Sequence, residues 1–546
     1  MAIGINTMDK DFIRETALKL FSESSSDTLE PFPEEVRRKY FKNGNRSDFE
    51  KLYFRRRDYL SSCAVLCLYD ESYLPLLEKI IVAVCDEECW ALPAHIAGIK
   101  VFDNRVIDLF VAETAFALAE ISVVFSDRLS LNIHCRIKKE VKKRLLNNYK
   151  HCRYKWERSR MNWAAVCGAY TGGALLYLFP EEFRKQKKRL LKTLRYYING
   201  FTDDGFCLEG PLYWLYGFTA YTVFADLLYK FSEGATDLLS DKKVKNIASY
   251  GNKCLLKGET SLSFSDSQRD FLPDYALHKY LHSKFPDTVA DAEESRLCLY
   301  NANTKWMNYY RAIIWDSNEQ YLPKEKNSLF FSTQAHVLIV NKENFSFALK
   351  GGNNNEFHNH NDLGSFIYSD KDGQVFCDLG SGRYTKDYFD KENRYSVFCN
   401  SSFSHSVPVI SGKGQPSGKK HKAELSFENN IALCDITKAY NDKAVASVIR
   451  KAQIKTDGIT ITDSFIFNGT AAVTERFVSL RKAEIKDGAL IFGDTKLIYP
   501  QNKADLNITQ KLHTPHEYDK EDITVYCYDF KLKNAETQIS FEITTK

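Results

Sequence analysis

The chain has 546 residues, enough for three or four domains of about 150 residues each or for fewer large ones. Hydrophobic residues make up 44% and charged residues 27%, which excludes the disordered, collagen-like and membrane classes. Lys plus Arg total 75 against 71 for Asp plus Glu, and the resulting +4 is too balanced for a protein held to nucleic acid by its overall field.

The opening residues show no basic segment followed by an apolar one, so no secretory signal is read. Fourteen cysteines are then expected as reduced thiols, and the expected compartment is the cytoplasm. Cys85 and Cys89 lie one helical turn apart with nothing nearby to complete a zinc set, so they read as small buried hydrophobes.

Up to about residue 320 the period is helical. Asp108 opens a segment running to Glu120 with apolar residues at three- and four-residue spacing, and the acid favours the first turn. Similar segments recur around Tyr59–Leu68, Pro75–Val84, Asn162–Leu178, Lys185–Ile198, Tyr216–Leu228 and Asp274–Leu281. Short polar connections between them predict an array or toroid of helical hairpins. The basic runs Arg136–Arg144 and Arg184–Arg195 have helical spacing and read as solvated faces.

The texture changes after the polar stretch Pro323–Asn327. From Phe330 onward, short runs rich in Val, Ile, Phe, Tyr and Thr alternate with the turn signals Asp372-Gly373, Asp457-Gly458, Asn468-Gly469 and Asp487-Gly488. The expected fold is therefore a multidomain α+β chain: a helical (α/α) toroid over residues 1–325, then an antiparallel β-sandwich over 326–546.

The densest polar cluster lies just inside the β half, Asn353-Asn-Asn-Glu-Phe-His358-Asn-His360-Asn-Asp362-Leu-Gly364. On an extended segment His358 and His360 would share one face. A hairpin at Asp372-Gly373 can return Asp378 beside His360, and His405 can supply a third group. Two His and one Asp form a zinc-competent set, and they serve equally as a hydrogen-bonded network.

Three motifs here, beginning at His358, Asp378 and Asn400 (Asn400-Ser-Ser-Phe-Ser-His-Ser-Val-Pro408), resemble the core signature of the heparinase II/III-like polysaccharide lyases, a group that includes alginate lyases. In the helical half, Arg160-Met-Asn-Trp163 resembles the family's asparagine-bearing inner helix. The run from Asp204 through Glu209 and Tyr213 to Gly217 resembles its tyrosine motif, and Trp90–His95 its early motif. Trp163 stands where some relatives carry a second histidine or asparagine.

The resemblance implies β-elimination at a uronic acid, in which the C5 proton is removed and the 4-linked sugar leaves. It assigns Asn162 to the substrate carboxylate, Tyr216 to base, acid or both, and His358 to the carboxylate or the proton. A tyrosine of ordinary pKa, about 10, is a poor base at neutral pH. His95, Glu209, Tyr213, Arg383 and Tyr395 are assigned to substrate, an arginine fork being suited to a carboxylate or sulfate. His360, Asp378 and His405 are assigned to a structural zinc.

The expected activity is a lyase acting on glycosaminoglycans such as heparan sulfate, chondroitin or hyaluronan, with alginate or oligoalginate as the alternative. A glycoside hydrolase using a pair among Asp203, Asp204 and Glu209, or a non-catalytic carbohydrate-binding scaffold, are the rivals from other classes. The expected partner is an acidic poly- or oligosaccharide, with neither nucleic acid nor membrane. Oligomeric state is not legible.

Overall fold

A computed structural model describes residues 10–25, 29–96, 105–289, 305–315, 327–516, 520–533 and 537–546. The chain divides into two compact units. The first comprises Met1–Phe201, Trp214–Ala248 and Pro273–Pro323; the second comprises Thr202–Tyr213, Ser249–Leu272 and Lys324–Lys546. The division is not a single cut, because two segments of the helical half are built into the β unit. The expected boundary at 325/326 lies outside the described residues.

The first unit is helical throughout its described residues, as the period predicts. Helices form at Ser47–Leu66, Leu74–Asp86, Leu109–Val124, Asn162–Leu178, Pro180–Ile198 and Tyr275–Lys284. Asp108 caps the third of these, its Oδ1 accepting from the Val111 amide at 2.8 Å, and Asp274 caps the last in the same way. The small residues of Asn162–Leu178 allow close packing. A Cβ on Gly173 would lie 2.5 Å from the Phe116 ring and one on Gly172 2.6 Å from Phe224, so any larger residue would displace an aromatic ring. Glu120 is fully buried on Leu109–Val124, and the Arg311 fork donates to both of its oxygens at 2.8 and 2.9 Å. The first basic run departs from expectation at Arg144. That side chain is buried, donating to Glu140 and to the carbonyls of Cys85, Glu87 and Glu88.

Among its described residues, the second unit contains antiparallel sheets of nine, five and four strands, with a small two-stranded ribbon at Leu255–Leu256 and Thr260–Ser261. Phe347 and Phe366 of the five-stranded sheet, Phe477 and Phe530 of the four-stranded sheet and Phe541 of the nine-stranded sheet share one apolar core, so the sheets form the expected sandwich. Asp372-Gly373, Asp457-Gly458 and Asp487-Gly488 each turn one strand back on the next. Asn468-Gly469 does not. The strand Gly458–Phe467 ends there, and Val473–Ser479 pairs instead with Ile523–Leu532 and Pro408–Ile410. The chain changes sheets at a turn whose local chemistry is that of a hairpin.

A buried ion network stitches this core. Arg450 is 0% exposed and donates to Asp463 at 2.7 Å and Glu475 at 3.0 Å. Its other nitrogen reaches the carbonyls of Gly364 and Ser406, both at 2.6 Å. Burial and the adjacent Asp463 push the Glu475 carboxyl well above the usual range, so the protonated acid leaves Arg450 matched to one carboxylate. The described cysteines form no disulfide, and no described helix is long and apolar enough to cross a membrane.

Candidate active site

In the first unit, Asn162 is the first residue of its helix and is 1% exposed. His95 and Asp108 come together, Nδ1 to Oδ2 at 2.8 Å, so the residue that caps one helix also fixes the imidazole. His95 lies flat against Phe110 at 5.6 Å between ring centres and edge-on to Trp163 at 4.9 Å, beside Asn162 in the sequence. Tyr216, on the helix Pro211–Phe231, meets a different environment. Lys305 sits 5.4 Å from its ring centre and is ion-paired to Glu113. Burial, then the Glu113 carboxylate, raise the Tyr216 hydroxyl well above its ordinary value.

In the second unit, His358 is not on a strand. It takes a left-handed backbone (φ +61°) in the loop after Gly352–Asn354, and its carbonyl accepts from the Asp266 amide at 3.0 Å. Its ring stacks on Tyr213, centres 3.9 Å apart, and the Tyr213 hydroxyl lies 2.5 Å from that of Tyr384. Glu209 Oε2 is 3.7 Å from His358 Nε2. Burial, then Asp266, raise the Tyr213 hydroxyl well above its ordinary value, so this phenol is a proton donor at neutral pH.

Asp266 is the hub of the cluster and is 0% exposed. Its Oδ2 faces His358 Nδ1 at 3.0 Å and its Oδ1 faces His360 Nε2 at 3.0 Å. Arg394 donates to both oxygens at 3.0 and 3.1 Å, and the Tyr388 hydroxyl donates to Oδ1. Burial alone would raise this carboxyl, but Arg394 and the two imidazoles outweigh it and hold it well below the usual range. An ionised acceptor fixes the proton of His358 on Nδ1 and leaves a lone pair on Nε2. Tyr395 joins the edge of the cluster, donating to Asn359 Oδ1 at 3.2 Å. Arg383 reaches the Lys520 carbonyl at 3.4 Å, and the arginine held on Asp266 is Arg394. A cavity of about 290 Å3 opens alongside, lined by Phe206, Gly210, Phe264, Ser265, Lys350 and Asn359.

His360, Asp378 and His405 are fully buried, and one ligand atom from each lies within 4.8 Å of the others. His360 Nδ1, His405 Nδ1 and Asp378 Oδ2 make no hydrogen bond, although the last two atoms are 3.1 Å apart. The opposite side of each group is anchored: His360 Nε2 on Asp266, His405 Nε2 on the Cys399 carbonyl at 3.0 Å, Asp378 Oδ1 on the Gly380 amide at 2.8 Å. Three converging orphaned atoms on two imidazoles and a carboxylate, each oriented from behind, fit a zinc ion.

Residues 324–544 match the heparinase II/III-like C-terminal family. No curated protein matches it in sequence. Among solved structures, a heparinase III is 13% identical, the match covering 100% of this chain and 93% of that one at a TM-score of 0.65. The heparan sulfate lyase of Pedobacter heparinus is 14% identical over 98% of this chain and 88% of its own, at 0.57. The chondroitin AC lyase of Streptomyces coelicolor, solved with chondroitin sulphate, is 9% identical over 98% of this chain and 82% of its own, at 0.53. At these identities the likeness is one of fold.

The matched residues include His358, His360, Asp378, His405, Tyr384, Tyr388 and Arg394. Glu209, Tyr213 and Asp266 come from outside the matched residues but belong to the same unit. Sequence reasoning missed Asp266, Arg394, Tyr384 and Tyr388. Asp266 is 92 positions from His358, in a serine-rich stretch with no local pattern to single it out.

Proposed function

We propose that the protein is a polysaccharide lyase that cleaves uronate-containing glycans, foremost glycosaminoglycans, by β-elimination. The observation that carries this reading is the stacked pair of His358 and Tyr213, with Asp266 behind the imidazole. His358 Nε2 takes the C5 proton, and the electron pair of that C–H bond forms the C4–C5 double bond. The C4–O bond breaks, and the Tyr213 hydroxyl donates its proton to the departing oxygen. Tyr216, the tyrosine first assigned to the proton, becomes an auxiliary residue because its surroundings are Glu113 and Lys305.

Against the hydrolase alternative stand the surroundings of its three candidate carboxylates, of which Glu209 faces His358. Asp204 accepts from Thr202 and the Phe206 amide within its own turn, and Asp203 is paired with Gln334. The substrate class is favoured by the heparan sulfate and chondroitin lyases that share the fold. Incubating the protein with heparan sulfate, chondroitin, hyaluronan and alginate should give new near-ultraviolet absorbance with a glycosaminoglycan first. Absorbance with alginate alone would reassign the substrate.

His360, Asp378 and His405 would hold a structural zinc, whose contribution is to tie together loops distant in sequence. Metal analysis of the purified protein should find one zinc per chain. His360→Ala should lose it and melt at lower temperature, because the ion no longer ties the buried Asp378 and His405 to the His360 loop. Full zinc occupancy in that variant would remove His360 from the site.

A further inference from the structure

The Asp266 carboxylate touches both functional clusters of the second unit. Oδ2 holds the imidazole of His358, and Oδ1 holds the back nitrogen of His360, whose front nitrogen is one of the three converging metal-ligand atoms. The geometry is bridging, with one oxygen committed to each ring. Arg394 spans both oxygens, and the Tyr388 hydroxyl takes a further lone pair on Oδ1. A carboxylate has about four acceptor positions, and four side chains use them here. The group is therefore saturated and cannot turn without breaking several bonds together. The main chain adds a second tie, the Asp266 amide on the carbonyl of His358, where the left-handed backbone is held.

We propose that Asp266 is a positioning residue that couples the metal centre to His358, so that occupancy of the metal site sets the placement of the imidazole that moves the proton. The inference rests on the lyase reading for the role of His358 and on the zinc reading for His360. Its physical basis is that an imidazole ligand is oriented by what its other nitrogen bonds, and here that partner is shared with the second imidazole. A zinc that fixes the His360 ring fixes Oδ1, and with it the plane of the carboxylate and the direction of Oδ2.

Asp266→Asn tests this on the full-length protein. The amide keeps the shape but presents one acceptor oxygen, so only one of the two rings can be held. Zinc affinity, read by competition with a chromophoric chelator, should fall about 10–100-fold. At saturating zinc, kcat on the glycan that the wild type cleaves should remain depressed with KM near the wild-type value. Long-range proton–nitrogen spectra give a readout independent of turnover, the His358 signals being assigned by their loss in His358→Gln. In the wild type those signals should shift when zinc is stripped; in Asp266→Asn they should not respond to zinc. Unchanged zinc affinity, or the same zinc-dependent shift in both proteins, would overturn the coupling. If Asp266→Asn does not fold, Asp266→Glu keeps the charge, displaces both rings, and should show the same loss of affinity and kcat. A wild type that binds zinc but cleaves no uronate would refute the lyase reading while leaving the zinc and spectral results to judge the coupling.

Discussion

Tyr213→Phe is expected to lower kcat by about 10²–10⁴-fold, the range for losing a general acid, while substrate affinity stays close to the wild type. The hydroxyl removed is the one 2.5 Å from Tyr384, on a ring stacked over His358, and its high pKa keeps it protonated for donation. The ring itself remains, so the stack and the local packing survive. Tyr216→Phe is the matched control from the next turn of the same helix. Its hydroxyl lies beside Glu113, and the variant should lose much less turnover. The opposite order would return the proton transfer to Tyr216 and leave Tyr213 as a packing residue. Steady-state kinetics on one glycan, with both variants checked for folding by circular dichroism, separates the two outcomes.

Arg450→Met is expected to destabilise the β unit by about 3–5 kcal/mol, because it strands a buried carboxylate. Asp463 would lose the guanidinium that pairs with it, and the carbonyls of Gly364 and Ser406 would lose a charged donor. Those carbonyls belong to the loops that carry Asp362 and His405, so the variant should also retain less zinc. Lys371→Met is the comparison. Its pair with Asp494 is exposed, with side chains 71% and 43% accessible, and water and salt screen it. Urea unfolding of the three proteins measures both differences. A loss for Arg450→Met no larger than for Lys371→Met would show that the network does not hold the core.

Much of this was legible in the sequence because its causes are local. The helix Asn162–Leu178 appears at its expected limits, since glycine and alanine at close-packing positions leave a pattern in the residues themselves. The three candidate ligands were legible for a similar reason: one hairpin returns Asp378 toward His360, and the motif around His405 is compact. The hub was not legible. Asp266 lies in the helical half of the sequence and reaches His358 only because residues 249–272 are built into the β unit. The sequence does not choose between Tyr213 and Tyr216 for a related reason. Three residues apart on a helix, they point about 60° from one another, and only tertiary packing stacks Tyr213 on His358. Likewise, Asn468-Gly469 has the chemistry of a hairpin turn, but the next strand finds a better partner in another sheet.

The most direct measurement of the central claim is the absorbance of the product together with the count of new reducing ends. For a glycosaminoglycan cleaved by the zinc-loaded protein, each new reducing end should be matched by one unsaturated uronate absorbing in the near ultraviolet. His358→Ala, carrying the same zinc, should produce neither. New reducing ends without absorbance would show hydrolysis and contradict β-elimination. Cleavage by His358→Ala at the wild-type rate would contradict the assignment of the proton to this histidine.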